Sequence, residues 1–335
     1  MKEFTPIILL ASERSGTNLL RALVSSHTAV ASPPPCSIVD VLANNHFRYF
    51  PPSAPPYLAE LSEDAITLTQ SHLNPWDISL TPQMIMERMG PASFWELFRV
   101  VNELYAEKMA SAFWFSKEPG LFRHIYEIRS HMPNAKLVYM TRDGRDVAAS
   151  MINAGVHEFH VYNAAQHWVL DQRYCLCALS DPMIRDQMFM LKYEELIESP
   201  EAVMRRLMSF VGLEYESSQM EFYKNKSVMI HAGKSKFWKN ISNPIDSSNK
   251  GKYRKSLGTS GTRIFESVAW REMNLLGYPL DSLNRREITG IDRVTFRLSA
   301  FLRKACKRMN TKDESSRIRA RTKIFREIWN RKFPC

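Results

Sequence analysis

"LLASERSGTNLLRALVSSH" (residues 9–27) decides how the chain is read. An apolar run, "PIILLA" over 6–11, stops at a charged turn that contains a single glycine. From Thr17 the apolar positions Leu19, Leu20, Leu23 and Val24 recur at spacings of three and four, which predicts an amphipathic helix behind a buried strand. In a strand, tight turn and helix, the backbone N–H groups of the turn and of the helix start converge, and that point stabilises an anion.

The rest of the chain repeats the alternation. "SAFWFSKEP" (111–119) reads as an aromatic-rich strand ending near Lys117, "AKLVYMTRD" (135–143) as another, and "QMFMLKYEELI" (187–197) as a fourth running into a turn. Helical patterns cover 121–131, about 160–180 and the stretch after Pro200. The proline-rich segments 31–37 and 51–58 read as loops, and 60–110 as mostly helical with breaks at Pro75, Pro82 and Pro91. The polar stretch 233–257 reads as irregular and functional. Strands alternating with helices predict an α/β fold, a mostly parallel central sheet flanked by helices. We expect a main domain over 1–284, with a mostly helical acceptor-side insertion at about 38–110, and a basic helical tail over 285–335.

The first turn departs from the triphosphate-binding pattern G-x-x-x-x-G-K-[ST], in which a lysine reaches the phosphates and a hydroxyl holds magnesium. Here Arg14 occupies the turn, Gly16 is its only glycine, and Asn18 follows Thr17. A second anion site is predicted where "KLVYMT" ends in Arg142, with Ser150 eight residues later on the next helix. An arginine at a strand's C-terminal end lies in the crevice where open α/β sheets bind ligands, and it can grip a phosphate bidentately. Two anion sites suggest a nucleotide phosphorylated at two places.

"SERSGTNLL" and "VYMTRDGRDVAAS" resemble the two nucleotide-binding signatures of sulfotransferases that use 3′-phosphoadenosine 5′-phosphosulfate (PAPS). The likeness extends through "LKYEELIESPE", "FWKNIS", "NKGKYRKSL" and "EMNLLGY", over roughly residues 5–280, and is to bacterial stand-alone members. The resemblance implies a P-loop-like fold and transfer of a sulfuryl group to a hydroxyl or amine, with adenosine 3′,5′-bisphosphate (PAP) as product and no metal. It implies that Arg14, Ser15, Gly16, Thr17 and Asn18 hold the 5′-phosphosulfate. Arg142 and Ser150 would hold the 3′-phosphate, Tyr193 would lie near the adenine, and Lys252, Tyr253 and Arg254 would close over the 3′-phosphate. Arg14 and Lys117 are the expected catalytic cations, since sulfuryl transfer, like phosphoryl transfer, depends on positioning and charge stabilisation.

An acceptor hydroxyl needs a general base. Many relatives carry Glu or His shortly after the second strand; this chain has Pro35 and Ser37 there. His46 is the expected base because an ordinary imidazole titrates near neutrality, with Asp40, Glu118 and His124 as alternatives. Two other functional classes fit parts of the sequence: a P-loop kinase or NTPase, which shares the strand–loop–helix, and a membrane-surface adaptor working through the tail.

The formal charge is +10, and residues 285–335 hold 16 Lys+Arg against 5 Asp+Glu, so the basicity belongs to the tail. There Val294, Leu298, Phe301 and Leu302 fall near one helical face among basic residues, a pattern suited to an anionic membrane; the alternative is packing on the domain. Peripheral membrane contact through 293–332 is therefore expected, with a small-molecule, glycan or lipid acceptor and no nucleic acid partner. No run of about 18 apolar residues occurs, so no bilayer span is predicted. With the first strand so close to Met1, we expect no signal peptide and a cytoplasmic protein, peripheral at the inner membrane surface. The five cysteines lack metal spacing, and Cys175 and Cys177 read as buried thiols on different faces. Trp238 and Trp270 read as core.

Overall fold

A computed structural model describes residues 3–49, 55–155, 157–234, 238–281, 286–309 and 315–330. Strand β1 (Thr5–Leu10) leads into helix α1 (Thr17–Ser25), and β2 (Val30–Ala31) into α2 (Ile38–Leu42) and a 3₁₀ segment, Ala43–Tyr49. Helices α3 (Pro55–Ser71), α4 (Pro82–Met86) and α5 (Phe94–Lys108) precede β3 (Phe113–Ser116) and α6 (Ile125–His131). Strand β4 (Lys136–Thr141) is followed by α7 (Gly144–Ala154), α8 (Val161–Ser180) and α9 (Pro182–Arg185). Then come β5 (Met188–Lys192), α10 (Tyr193–Glu198), α11 (Pro200–Val211), α12 (Lys226–Gly233) and α13 (Tyr253–Leu275). The chain closes on α14 (Gly290–Met309) and α15 (Ser315–Asn330).

The five strands form one sheet in the order β2-β3-β1-β4-β5, and every neighbouring pair is parallel. Alternate side chains leave opposite faces of a strand. Ile8, Leu10, Leu137, Tyr139 and Trp114 therefore enter one core, with α7, α8 and α13. Ile7, Leu9, Val138, Met140 and Phe115 enter the other, under α1 and α11. Both faces are covered, which is why the strands read as continuous apolar runs.

Some boundaries differ from the sequence reading. Pro55 and Pro56 open α3 rather than extending a loop, because proline is tolerated in a first turn whose N–H groups lack helical partners; residues 51–54 lie outside the described residues. Pro82 likewise starts α4, behind Thr81, whose Oγ1 accepts from the Met84 N–H. The turn expected after β5 is the short helix α10. The irregular stretch ends earlier than expected, with α13 beginning at Tyr253. Cys175 is buried but Cys177 is exposed, since residues two apart on a helix point in different directions.

Both tail helices carry core-facing residues. Phe296 of α14 and Ile328 of α15 join the larger core. No helix of the described residues is long and apolar enough to cross a membrane.

Candidate active site

A cleft of about 1920 Å³ opens along the C-terminal edge of the sheet. The register explains what reaches it. Ile8 pairs with Ser116, Leu10 with Tyr139 and Thr141 with Lys192, so the residues just beyond four neighbouring strands emerge together. Arg14 follows β1, Lys117 follows β3, Arg142 follows β4 and Tyr193 follows β5, and all four line the cleft.

The first turn is tight. Gly16 has φ +91°, and a Cβ there would lie 2.3 Å from the Tyr193 ring, so glycine is required both by backbone conformation and by space. Arg14 also adopts a left-handed φ of 67°, a conformation unfavourable for a residue with a side chain. Its Nε donates to Ser150 Oγ at 3.1 Å, so the two expected signatures touch directly. Thr17 and Asn18 line the cleft, whereas Ser15 is buried beneath it.

Arg142 is the hub. Its Nη1 donates to the Arg14 carbonyl and its Nη2 to the Asn249 carbonyl, both at 3.1 Å. Its guanidinium lies 4.3 Å over the Tyr193 ring, and Tyr193 Oη accepts from Asn249 Nδ2 at 2.7 Å. Asp146 ties down the same late loop, accepting from the N–H groups of Gly251 (2.7 Å) and Tyr253 (2.8 Å). Behind it, buried Arg145 donates to Asp143 and Glu266, fixing the start of α7 against α13. Ser15 Oγ, Asn18 Oδ1 and Arg142 Nε are buried without a hydrogen-bond partner among the described residues.

The charges beside the turn are tuned by their neighbours. Burial alone would raise Glu13, but its hydrogen bond and charge interaction with His157, aided by Lys117, bring it down to about 2. Burial pushes Arg14 and Lys117 below their ordinary values, while Glu13 opposes the shift in both.

Several expected residues are not brought to the cleft. His46 is exposed on the 3₁₀ segment, its Nδ1 2.6 Å from the Ala43 carbonyl, and does not line the cleft. His124 packs against Trp95 and faces Glu127 instead. Within "GKYR" only Lys252 reaches the cleft. Tyr253 is buried under Arg145 and donates to Asp281 Oδ2, and Arg254 turns to the same carboxylate at 3.1 Å. Lys255 and Ser256, one helical turn on, line the cleft in their place. Trp238, read as core, forms part of the wall, stacked on His231 at 4.1 Å.

The other end of the cleft is built from separated segments. Asp40 of α2 lines it, with Arg123 at 3.7 Å, and burial raises its carboxyl above the usual range. Glu118 lies behind the wall, held at about 7 by burial; its Oε1 accepts from the Cys36 N–H at 2.5 Å. His72 also lines the cleft. Its Nδ1 accepts from the Asn74 N–H, which leaves the proton of the neutral ring on Nε2. From the tail, α15 contributes Arg321 and Phe325. Arg321, Ile324, Phe325 and Ile328 share one helical face, a spacing visible in the sequence once the tail is read as two helices.

A parallel sheet with cations and helix-start amides gathered at its C-terminal edge defines an anion-binding α/β protein of the P-loop-like kind. The sulfotransferase family model matches residues 6–217, and the chain belongs to that family. It is 25% identical over 264 residues to an uncharacterized protein of Aquifex aeolicus (strain VF5), covering 75% of this chain and 30% of that one, so it spans about a third of that relative's length. Its fold is similar to the sulfotransferase domain from the curacin biosynthetic pathway (19% identity, TM-score 0.54, 84% of this chain, 99% of the domain). It is equally similar to that of the Synechococcus PCC 7002 olefin synthase (19% identity, TM-score 0.54, 84% and 97%).

Proposed function

We propose that this protein transfers a sulfuryl group from PAPS to a hydroxyl or amine of a small-molecule, glycan or lipid acceptor. The observation that carries this reading is the junction of Arg14, Ser150 and Arg142 at the tips of adjacent strands β1 and β4. Two anion-binding points side by side suit a nucleotide phosphorylated at both ends. The unpartnered Ser15 Oγ, Asn18 Oδ1 and Arg142 Nε supply polar capacity for it, and the glycine at 16 lets the backbone approach closely. Arg14, Thr17 and Asn18 hold the 5′ end; Arg142, Ser150 and Lys252 hold the 3′-phosphate. When bound, PAPS supplies an activated sulfuryl group. Arg14 and Lys117 stabilise the charge that builds up during transfer. Asp40 takes the acceptor's proton: it faces the cleft, and its raised pKa brings it nearer the working pH. His72 is not the base, because its lone pair is engaged by the Asn74 N–H.

Calorimetric titration of the full chain tests the reading. We expect PAP to bind without added metal, and radiolabelled sulfuryl transfer from PAPS to be detectable across a panel of sugars, lipids and phenols. Binding of magnesium–ATP with no response to PAP would overturn it in favour of a kinase or NTPase.

For the tail, we propose that the free face of α14 rests on an anionic membrane. Ile291, Val294, Leu298, Phe301 and Leu302 share that face and are 57–79% exposed, while Phe296 on the opposite side is stacked on His160. Arg293, Arg297 and Lys304 border the apolar face, so a second copy of the helix would meet like charge, whereas acidic headgroups would not. Flotation with phosphatidylglycerol vesicles should recover the protein, and Leu298→Glu with Phe301→Glu should release it; equal recovery of wild type and double variant refutes the contact.

A further inference from the structure

The acceptor end of the cleft contains a cation that the expected sulfotransferase signatures do not include. Arg321 arrives on α15, more than 170 residues beyond Ser150. The helix is seated by buried Ile328 and by Trp329 Nε1 donating to the Val41 carbonyl at 3.3 Å. The guanidinium turns into the cleft, donates to Ser37 Oγ and stacks over Phe325 at 5.0 Å. No carboxylate of the described residues forms a salt bridge with it. The acids nearby have other roles: Glu13 pairs with His157, Glu118 binds the Cys36 N–H, and Asp40 faces Arg123. A half-buried guanidinium with no salt-bridge partner is costly unless something else satisfies it.

Asp40 and Ser37 apart, the polar side chains nearest Arg321 on this wall offer donors. His72 presents Nε2–H, as its Nδ1 is taken by Asn74, and its ring stacks beside Trp238 at 5.8 Å. Exposed Lys234 and half-buried Lys117 also line the cleft. Phe325 and Trp238 add apolar lining between the donors. Donors grouped on an apolar floor fit an organic anion, and a planar guanidinium holds a carboxylate or phosphate by two parallel hydrogen bonds.

We infer that the acceptor carries an anionic group, carboxylate or phosphate, and that Arg321 of the C-terminal helix receives it, assisted by the His72 N–H. The inference rests on the sulfotransferase reading, since it assigns the acceptor half of the same cleft. It makes α15 part of the specificity machinery: the acceptor hydroxyl is turned toward Asp40 by the anchoring of its charged end.

The test is calorimetry on the full chain saturated with PAP, using 4-hydroxyphenylacetate, 4-hydroxybenzylphosphonate and the neutral 4-hydroxyphenylacetamide as probes. One of the two acids should bind at least about tenfold more tightly than the amide, as expected for loss of one charge-assisted pair, and the better acid names the source of the charge. Arg321→Gln should erase the difference while leaving PAP affinity within about twofold, and Arg321→Lys, which keeps the charge and most of the packing, should retain part of it. Three results overturn the inference while leaving the proposed function standing: equal binding of acid and amide, no binding of either in the presence of bound PAP, or an unchanged preference in Arg321→Gln. If Arg321→Gln weakens PAP as much as the acids, the residue belongs to the donor site and the inference also fails. If PAP itself does not bind, the underlying reading fails first.

Discussion

At the donor end of the cleft, Arg14, Lys117, Arg142 and Tyr193 each sit within a few positions of the end of a strand that pairs with its neighbour, and Lys252 joins them from the late loop. At the acceptor end, the wall comes from residues 35–40, 72–73, 238–241 and 321–325, which no strand pairing brings together. The donor end is thus fixed by sheet register. Given parallel β1 and β4 side by side, Arg14 and Arg142 must emerge together. The acceptor end is fixed by how helices lie on the sheet, so it can vary while the donor end stays constant.

The sharpest way to break this contrast is at Arg14. If the donor end is one preorganised charge site, Arg14→Ala should lower kcat by about 10³-fold, the cost typical of removing one stabilising donor. Rates within a few-fold of wild type would mean that Arg14 is only a turn residue. Asp40→Asn should cost about 10²-fold in kcat while PAP affinity is retained, since it removes proton acceptance but keeps shape. Unchanged turnover would exclude Asp40 as the base. Arg142→Ala should weaken PAP by about 10–100-fold in calorimetry, because it removes a charge-assisted bidentate contact. It also frees the Asn249 carbonyl, so hydrogen exchange around 249–253 should quicken. Unchanged PAP affinity would separate β4 from the nucleotide.

The same contrast explains what could be read from the sequence. That "SERSGTN" and "TRDGRDVAAS" meet at one edge of the sheet was legible because their placement follows from local chain geometry. Lys117 was legible because it ends an obvious strand. His46 was chosen on chemistry and proximity along the chain alone, and the 3₁₀ turn carries it away from the cleft. In "GKYR" the resemblance implied contact with the nucleotide, but a helix starting at Tyr253 rotates Tyr253 and Arg254 toward Arg145 and Asp281 and brings Lys255 and Ser256 round instead. Asp146, which no pattern in the sequence singles out, anchors the late loop by two backbone contacts. Arg321 was hidden because the tail read as one basic unit, and its seat depends on Val41 and Ser37, nearly 300 residues away.

Glu118 tests the acceptor wall without touching the donor end. It is buried, one carboxyl oxygen bound by the Cys36 N–H and the other without a partner among the described residues. Burial raises its folded pKa to about 7, from the ordinary 4.5 of a glutamate, despite nearby Lys117. Between these two values the folded protein holds a proton that the unfolded chain has lost. Stability therefore falls as pH rises through this window, by about 3 kcal/mol in all, and is level above it. His72 and His231 slope the other way, because burial lowers them to about 3 and about 2, so the unfolded chain holds the extra protons up to their ordinary value of 6.5. The wild-type curve mixes these opposing trends, and a variant is needed to separate them. Glu118→Gln keeps an oxygen for the Cys36 N–H and cannot ionise. Denaturant melts from pH 4 to 8 should show the variant gaining on wild type between pH 4.5 and 7 and holding that lead to pH 8. Parallel curves would mean that water reaches Glu118, and the acceptor wall would then be more open than one that shields this carboxyl and places Arg321 opposite an acidic substrate.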